Sequence, residues 1–340
     1  MIKSRVDLST TRQVLAELIT PETHFIWVIL IFGASISLLT LAVPVAIQYL
    51  INTIVNIGSF RAIGALAGTL FFVLAGYAAL SAVRVWIVER YEQHLFARLA
   101  SEVSYQVLSA PKNHFSDETN AGKSNRYFEI LLLQKNMPYL LIDGFALALQ
   151  TAVGFTLVSF YHPWLLVFNV IVLAVVYGIW RVWANGAKRT AIIRSREKYR
   201  TAKWIAELES FSNTSKPHDA ERAALIMEEH IKAFIDAQRA HFSFTFPQTV
   251  SFLTLYAVGS AMLLALGGWL VIQAVLSVGQ LVAAELVMAS IFLGLSRFSM
   301  YLKSYYELYG AADKLAELLY ISQSHITHKK PQLDAMREST

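Results

Sequence analysis

Glu285 is the residue whose type and surroundings most directly suggest chemistry. It is the one charged residue in the stretch 240–296. If the chain around Glu285 is helical, at about 100° per residue, four further side chains lie on one face, within about 40° of it: Phe292, Ser296, Ser299 and Lys303. A polar stripe on an apolar helix is expected to face a cavity, where Glu285 could attract a cationic group or carry a proton. The alternative is structural, with Glu285 paired to another helix or reaching the nearby surface.

A second candidate pair is Asn169 and Tyr177, which are eight positions apart in an uncharged stretch. On a helix they lie within about 80° of each other, so both could line the same cavity. Arg84, Asp143 and Arg297 stand near the ends of apolar stretches. For these three we expect ion pairing between helices, or side chains that extend to the membrane surface.

A phosphate-binding motif is suggested by Ala121-Gly122-Lys123-Ser124 but is incomplete. A P-loop requires a first glycine five positions before the second, and Asp117 stands there. The nine histidines have no metal-ligand spacing, and the absence of cysteine excludes thiolate ligands and disulfides. The sequence therefore predicts no catalytic residues, no metal site and no directly bound cofactor.

The composition indicates a membrane protein. Of 340 residues, 55% are hydrophobic and 16% charged, and the mean hydropathy is +0.46. These values are atypical of a soluble globular protein. The net charge of +5 could suggest nucleic acid, but the basic residues flank apolar stretches, as the positive-inside bias explains. We therefore expect a lipid bilayer as the partner and no nucleic acid.

Six stretches are long and apolar enough to span a bilayer. They are, approximately, residues 25–51, 62–88, 137–160, 163–183, 243–273 and 280–301. The short turns between them contain one basic residue, Arg61, whereas the termini and two long connections hold nearly all the others. The positive-inside rule then places both termini and both connections in the cytoplasm of a multi-pass inner-membrane protein.

The two long connections are residues 89–136 and 181–239. The second contains twelve of the 29 lysines and arginines but only one proline and one glycine, so we expect two helices that turn near residues 212–217. Residues 1–24 include an amphipathic helix suited to the membrane surface, with Val14, Leu15 and Leu18 on one face. The polar tail 321–340 is expected to be disordered.

Several motifs occur in an order typical of one transporter family. They are Leu41-Ala42-Val43-Pro44 with Gln48; Leu108-Ser109-Ala110-Pro111 followed by His114, Phe115, Gly122 and Arg126; Glu207 with Lys216; and Ser277-Val278-Gly279-Gln280-Leu281-Val282-Ala283. With six spans and these two long cytoplasmic connections, residues 25–320 resemble the transmembrane domain of type I ATP-binding-cassette (ABC) exporters.

The resemblance implies an all-α membrane fold that works as a homodimer or heterodimer of six-helix halves. It also implies that the ends of these connections farthest from the membrane, near residues 111–121 and 208–217, are coupling helices. In the family, such helices dock on nucleotide-binding domains. The implied coupling residues are Pro111, His114, Phe115, Asp117, Gly122, Glu209, Phe211 and Lys216.

The departure from the family is that no nucleotide-binding domain follows the sixth span. We expect a permease that uses ATP and Mg²⁺ bound to a separate ABC ATPase subunit; alternatively, the chain is a segment of a longer protein. Two other interpretations are a proton- or ion-coupled transporter with the same membrane fold and a non-transporting docking subunit.

Overall fold

The computed structural model describes residues 23–56, 60–109, 128–211 and 217–319. Within these ranges the chain is helical apart from short turns, which confirms the predicted all-helical class. The predicted amphipathic helix of segment 1–24 and the tail 321–340 lie outside the described residues, except for Thr23 and His24.

The α-helices of the described ranges are numbered in chain order. They are α1 (Thr23–Thr40), α2 (Ala42–Asn56), α3 (Phe60–Ser109), α4 (Phe128–Pro138), α5 (Phe145–Ser159), α6 (Pro163–Phe211), α7 (Pro217–Ile272), α8 (Val278–Ser296) and α9 (Phe298–Leu319). A π-helical segment, Tyr139–Gly144, joins α4 to α5.

Six helical segments are long and apolar enough to cross a membrane, as predicted. They are Ile31–Thr53, Ile63–Ser109, Phe128–Ser159, Pro163–Leu208, Glu221–Ile272 and Val278–Leu315. A helix satisfies its own peptide groups, which explains why apolar stretches of this length fold as helices in a bilayer.

Three of the helices are much longer than a bilayer requires. Helices α3, α6 and α7 have 50, 49 and 56 residues. At 1.5 Å per residue they are roughly 74–84 Å long, against about 30 Å for the hydrocarbon core. Their additional length is polar. Together with the polar residues of α4 and α9 it forms what we call the polar layer, residues 89–109, 128–137, 181–239 and 303–319.

The first membrane segment is interrupted at Leu41, between α1 and α2. Pro44 stands three positions later. It has no backbone N–H for a helical hydrogen bond, and in a regular helix its ring would clash with the carbonyl group four residues earlier. The chain adapts with a tighter turn, in which the Leu41 N–H donates to Leu38 O at 3.2 Å. The interruption of this span therefore lies about one turn before the proline.

Helices α6 and α7 pack antiparallel along the polar segment 181–239. Thr190 Oγ1 lies 3.0 Å from His241 Nδ1, and Thr201 Oγ1 donates to His230 O at 3.4 Å. Gly186 lies against the Phe244 ring, where a Cβ atom would come within 2.3 Å of it. Residue numbers fall on α7 as they rise on α6, so the described parts of the two helices run antiparallel against each other.

Helix α8 occupies the centre of the apolar part of the bundle. It begins with a capping box, in which Ser277 Oγ accepts from the Gln280 N–H and the Gln280 side chain accepts from the Ser277 N–H. Its buried face includes Val287, Ile291 and Phe292. Gly154 of α5 and Gly259 of α7 let their backbones approach this face, since a Cβ atom at either would lie under 3 Å from it.

A second apolar core stabilises the polar layer. Its buried members are Tyr91, Leu95, Leu99 and Val103 of α3, Ile130, Leu133 and Met137 of α4, Ile192 of α6, and Leu308, Tyr309, Ala311, Ala312 and Leu315 of α9. Burial of this apolar surface holds the four helices together in the part of the chain outside the apolar segments. The polar layer is therefore a packed bundle where the structure describes it.

Candidate functional site

A cavity of about 740 Å³ lies between α5, α6 and the junction of α8 with α9. We call it the α5–α6 cavity. Its lining is mostly apolar: Leu147, Ala148, Thr151, Ala152, Phe155, Thr156, Ser159, Phe160, Leu166, Asn169, Val170, Leu173, Val176, Leu295 and Phe298. A mainly apolar cavity of this volume is in the range that binds small organic molecules.

Asn169 is the most polar group in the wall of this cavity. It is 2% exposed, and its Nδ2 donates to Phe155 O at 3.1 Å and to Ser159 Oγ at 2.9 Å. A backbone carbonyl accepts only, so these bonds fix which end of the amide is nitrogen. Oδ1 is buried without a hydrogen-bond partner, which costs about 1–3 kcal/mol when nothing binds there.

The turn between α5 and α6 is held against α2. The Tyr161 hydroxyl donates to Gln48 Oε1 at 2.7 Å, and burial raises the pKa of Tyr161, so this donor keeps its proton. His162 Nδ1 accepts from the Trp164 N–H at 3.2 Å and satisfies a free donor at the start of α6. These contacts position the first turns of α6, from which Asn169 projects.

Glu285 lies at the edge of the covered face of α8. It is partly exposed, whereas its Oε2 atom is buried and has no hydrogen-bond partner. Phe292, about 20° away round the helix, is fully buried, whereas Leu286 and Leu293, roughly 80–100° away, are 37% and 46% exposed. A carboxylate oxygen in this setting can accept from a cationic or protonated group.

The other residues of the predicted stripe do not share one environment. Phe292 is fully buried and packs edge-to-face on Phe168, with ring centroids 6.3 Å apart. Ser296 donates to Leu293 O of its own helix at 2.8 Å, and Ser299 is half-buried. The regular helix is interrupted at Arg297, so a single 100° periodicity does not apply across the set.

Tyr177, the predicted companion of Asn169, is 61% exposed. Its ring lies 5.9 Å from that of Trp180. Asn169 is thus the one residue of the predicted path that lines the α5–α6 cavity. A role for the remaining residues in translocation stays a prediction.

A second cavity, of about 650 Å³, lies between α3, the π-helical segment and α9. Arg84 Nη2 and Asp143 Oδ1, which are 2.5 Å apart, both line it. The ion pair that the sequence left as one alternative for these two residues is therefore present. Asp143 belongs to the π-helical segment, and such segments occur often at functional sites.

Helix α6 is tied to α4 and α9 by ion pairs in the polar layer. Lys198 Nζ and the Tyr199 hydroxyl donate to Glu129 Oε1 at 2.5 and 2.6 Å. Arg196 forms a two-pronged bond with Asp313, at 2.9 and 3.1 Å. We call these five residues the clamp.

Two further contacts reinforce the clamp. Arg194 Nη2 lies 3.5 Å from Glu307 Oε1. The Lys188 ammonium lies 5.3 Å from the ring centroids of both Tyr305 and Tyr309, a cation–π arrangement. Contacts between α6 and α9 therefore continue from Lys188 to Arg196, over about two helical turns.

Sequence reasoning did not predict the clamp. The positive-inside rule accounts for the basic residues of 181–239 by topology alone, and Glu129 lies within the polar connection 89–136. One available signal was the pattern at Glu129, a single acid before the apolar run Ile130-Leu131-Leu132-Leu133. An acid beside such a run becomes buried with the helix face it belongs to and then requires a basic partner.

The predicted coupling residues fall mainly outside the described residues. These are Pro111, His114, Phe115, Asp117, Gly122 and Lys216. Glu209 and Phe211 belong to the last turn of α6, but their side chains are not described. Their predicted role stays a prediction.

Comparisons with known proteins complete the description of the site. No protein-family model matches the chain, and the comparison with curated proteins found no match. Within the described ranges, no three His, Asp or Glu side chains converge on a common point that could hold a metal ion.

The clamp generates a stability prediction. In the variant Lys198→Met, Glu129 loses its cationic partner although it is 2% exposed. The Lys198 side chain is 46% exposed, so solvent screening reduces the loss below that of a fully buried pair, to about 1–2 kcal/mol. Thermal unfolding of the purified protein in detergent should show the lower midpoint.

The matched control is Arg200→Met on the same helix. Arg200 pairs with Glu197 at 3.0 Å, and its own side chain is 62% exposed, so the expected loss is under about 0.5 kcal/mol. Equal midpoints for the two variants would show that Glu129 does not depend on Lys198.

Proposed function

We propose that the chain is a permease that moves a substrate across a cytoplasmic membrane by alternating access. The arrangement we infer is that of type I ABC exporters, with both termini and the polar layer in the cytoplasm. The chain supplies the membrane half, and a separate ABC ATPase subunit supplies binding and hydrolysis of ATP with Mg²⁺. The observation that carries this proposal is the continuity of α6.

Helix α6 connects the two parts of the molecule that such a transporter has to couple. Asn169 in its first half lines the α5–α6 cavity, and Lys198 in its second half belongs to the clamp. The two positions are 29 residues apart, or roughly 44 Å along one helix. Movement at the polar end is then transmitted to the cavity by a rigid element, as in hinge and shear transitions.

Dimerisation is supported by the surface of α3. None of its most apolar 18-residue window is buried within the chain. Phe71, Phe72, Val85 and Trp86 are all more than 60% exposed. Lipid covers such a surface in a monomer, and a second six-helix half covers part of it in the proposed dimer.

Association with an ABC ATPase is the first test. The tagged chain, purified from its native membrane, should carry an ATPase activity that vanadate inhibits and that increases when the chain is reconstituted in liposomes. The double variant Glu209→Lys/Lys216→Glu should reduce the retained activity several-fold, because it reverses charge at the proposed coupling tip.

The control variant is Lys232→Glu, which reverses an exposed charge of α7 away from the tip. It should retain the ATPase. Absence of any vanadate-sensitive ATPase from the native preparation, or equal loss in both variants, would contradict the proposed coupling.

A second candidate function is transport driven by a proton or another ion. The observation that favours it is Glu285, whose Oε2 atom is buried in an apolar segment without a hydrogen-bond partner. Ionisable groups inside a membrane are costly and are commonly part of ion pathways. In this case the same fold works without a nucleotide-binding subunit.

Proton movement through Glu285 can be measured without knowing the substrate. Proteoliposomes that contain a pH-sensitive dye should lose an imposed pH gradient several-fold more slowly with Glu285→Gln than with the unaltered chain, since glutamine keeps the shape but cannot titrate. The control is Asp236→Asn, whose carboxylate is exposed in the polar layer. Identical rates for all three proteins would exclude this candidate.

A further inference from the structure

The cavity between α3, the π-helical segment and α9, which we call the α3–α9 cavity, lies where the apolar segments meet the polar layer. On α3 its lining extends from Val85 and Val88 to Glu89 and Glu92 of the polar layer, and on α9 it extends from Met300 into the polar layer. In a bilayer, polar headgroups flank the hydrocarbon core at such a boundary. A ligand in this cavity therefore meets apolar side chains at one end and charged side chains at the other.

The apolar end of the cavity opens on the side of the molecule. Val85 and Met300 line the cavity and are 67% and 57% exposed. Both belong to membrane-length segments, so a lipid can enter from the bilayer without passing through water. This entry requires the apolar rim to face lipid. The second half of the proposed dimer then packs elsewhere on α3, where Phe71 and Phe72 are also exposed.

Seven charged side chains line the cavity, and three of them already have partners. Arg84 pairs with Asp143, and both belong to the lining. Glu307 pairs with Arg194 of α6. The first pair is neutral as a whole, and the charge of Glu307 is offset from outside the cavity. The remaining four charges therefore decide which ligands the cavity attracts.

These four charges are two carboxylates and two ammonium groups. Glu89 and Glu92 belong to α3, whereas Lys135 belongs to α4 and Lys303 to α9. Glu89 accepts from the side-chain amide of Gln93 at 2.8 Å, which leaves the negative charge in place. Within the described ranges none of the four has an ion-pair partner. Opposite charges thus line one cavity from different helices without forming ion pairs.

This distribution favours a ligand that carries both charges. An anion is attracted by the two lysines but repelled by the two glutamates, and the reverse holds for a cation. A phosphate group accepts hydrogen bonds from lysine, and an ammonium group donates to carboxylates. A zwitterionic headgroup gains both kinds of contact. The apolar rim adds a surface on which a hydrocarbon chain is removed from water.

We propose that the α3–α9 cavity binds a phospholipid with a zwitterionic headgroup. Its phosphate contacts Lys135 and Lys303, its ammonium group contacts Glu89 and Glu92, and one acyl chain leaves over the apolar rim. The lipid belongs to the leaflet on the side of the polar layer. The proposal rests on the cavity alone and does not depend on the proposed function of the chain.

Photolabelling of the purified chain in an uncharged detergent tests the proposal, because no background lipid then competes. The probes are phosphatidylethanolamine and phosphatidylglycerol with the same diazirine-bearing acyl chain. Both have a phosphate, but only the first has an ammonium group. Phosphatidylethanolamine should label the peptides that contain Val85 and Met300 about fivefold more strongly, the size expected for partly exposed ion pairs. Equal labelling, or stronger labelling by phosphatidylglycerol, would overturn the proposal.

Two double variants assign the contacts. In Glu89→Gln/Glu92→Gln the carboxylates are lost, so the two lipids should label equally. In Lys135→Gln/Lys303→Gln the phosphate loses its partners, so labelling by both lipids should fall several-fold. A preference for phosphatidylethanolamine that survives the first variant, or full labelling of the second, would refute the assigned contacts.

The matched control is Glu102→Gln/Lys232→Gln, which neutralises one exposed acid of α3 and one exposed base of α7 outside the cavity. It should leave both labelling levels unchanged. A loss of preference in this control would show that the overall charge of the chain, and not the cavity, selects the lipid.

Soluble glycerophosphoethanolamine, which has the same headgroup without acyl chains, distinguishes a lipid from a water-soluble ligand. It should not compete with the lipid probe at equal concentration, because it makes no contact with the apolar rim. Full competition would refute a lipid as the occupant. The comparison of the two lipids on the unaltered chain still decides the proposal if a variant fails to fold, as its melting curve would show.

Discussion

A bilayer offers no hydrogen-bond partner to a peptide group, and the long helices of this chain follow from that constraint. Helices satisfy their own backbone and can cross the apolar layer, and α3, α6 and α7 then continue well beyond the length needed for crossing. Outside the bilayer this length is stable only if it is packed. The second apolar core and the clamp supply that packing, so the polar layer depends on both.

The clamp gives the long helices a mechanical role. Glu129 is buried and bonded to Lys198 and Tyr199, so α4 and α6 are joined through a charge that is costly to leave unpaired. Arg196 joins α6 to α9 through a two-pronged bond. Helix α6 therefore connects the polar layer to the α5–α6 cavity as one continuous element, and this is the physical basis for the proposed transport mechanism.

Sequence patterns could predict the features that depend on composition along the chain. The six apolar stretches and the helices of 181–211 and 217–239 are of this kind. What they could not predict is which side of a helix its neighbours cover. Phe292 was placed in a cavity on periodicity alone, but Gly259 lets α7 approach so closely that the ring is buried. The π-helical segment at Asp143 also changes the periodicity locally.

Hydrogen–deuterium exchange of the whole chain in lipid nanodiscs tests the central claim most directly. If α6 is one rigid element held by the clamp, amides of residues 188–205 and 226–241 should exchange as slowly as those of the apolar segments, because each opening would break the packing of the polar layer. Exchange of these peptides within seconds, while the apolar segments remain protected, would show a loose polar layer and contradict the account.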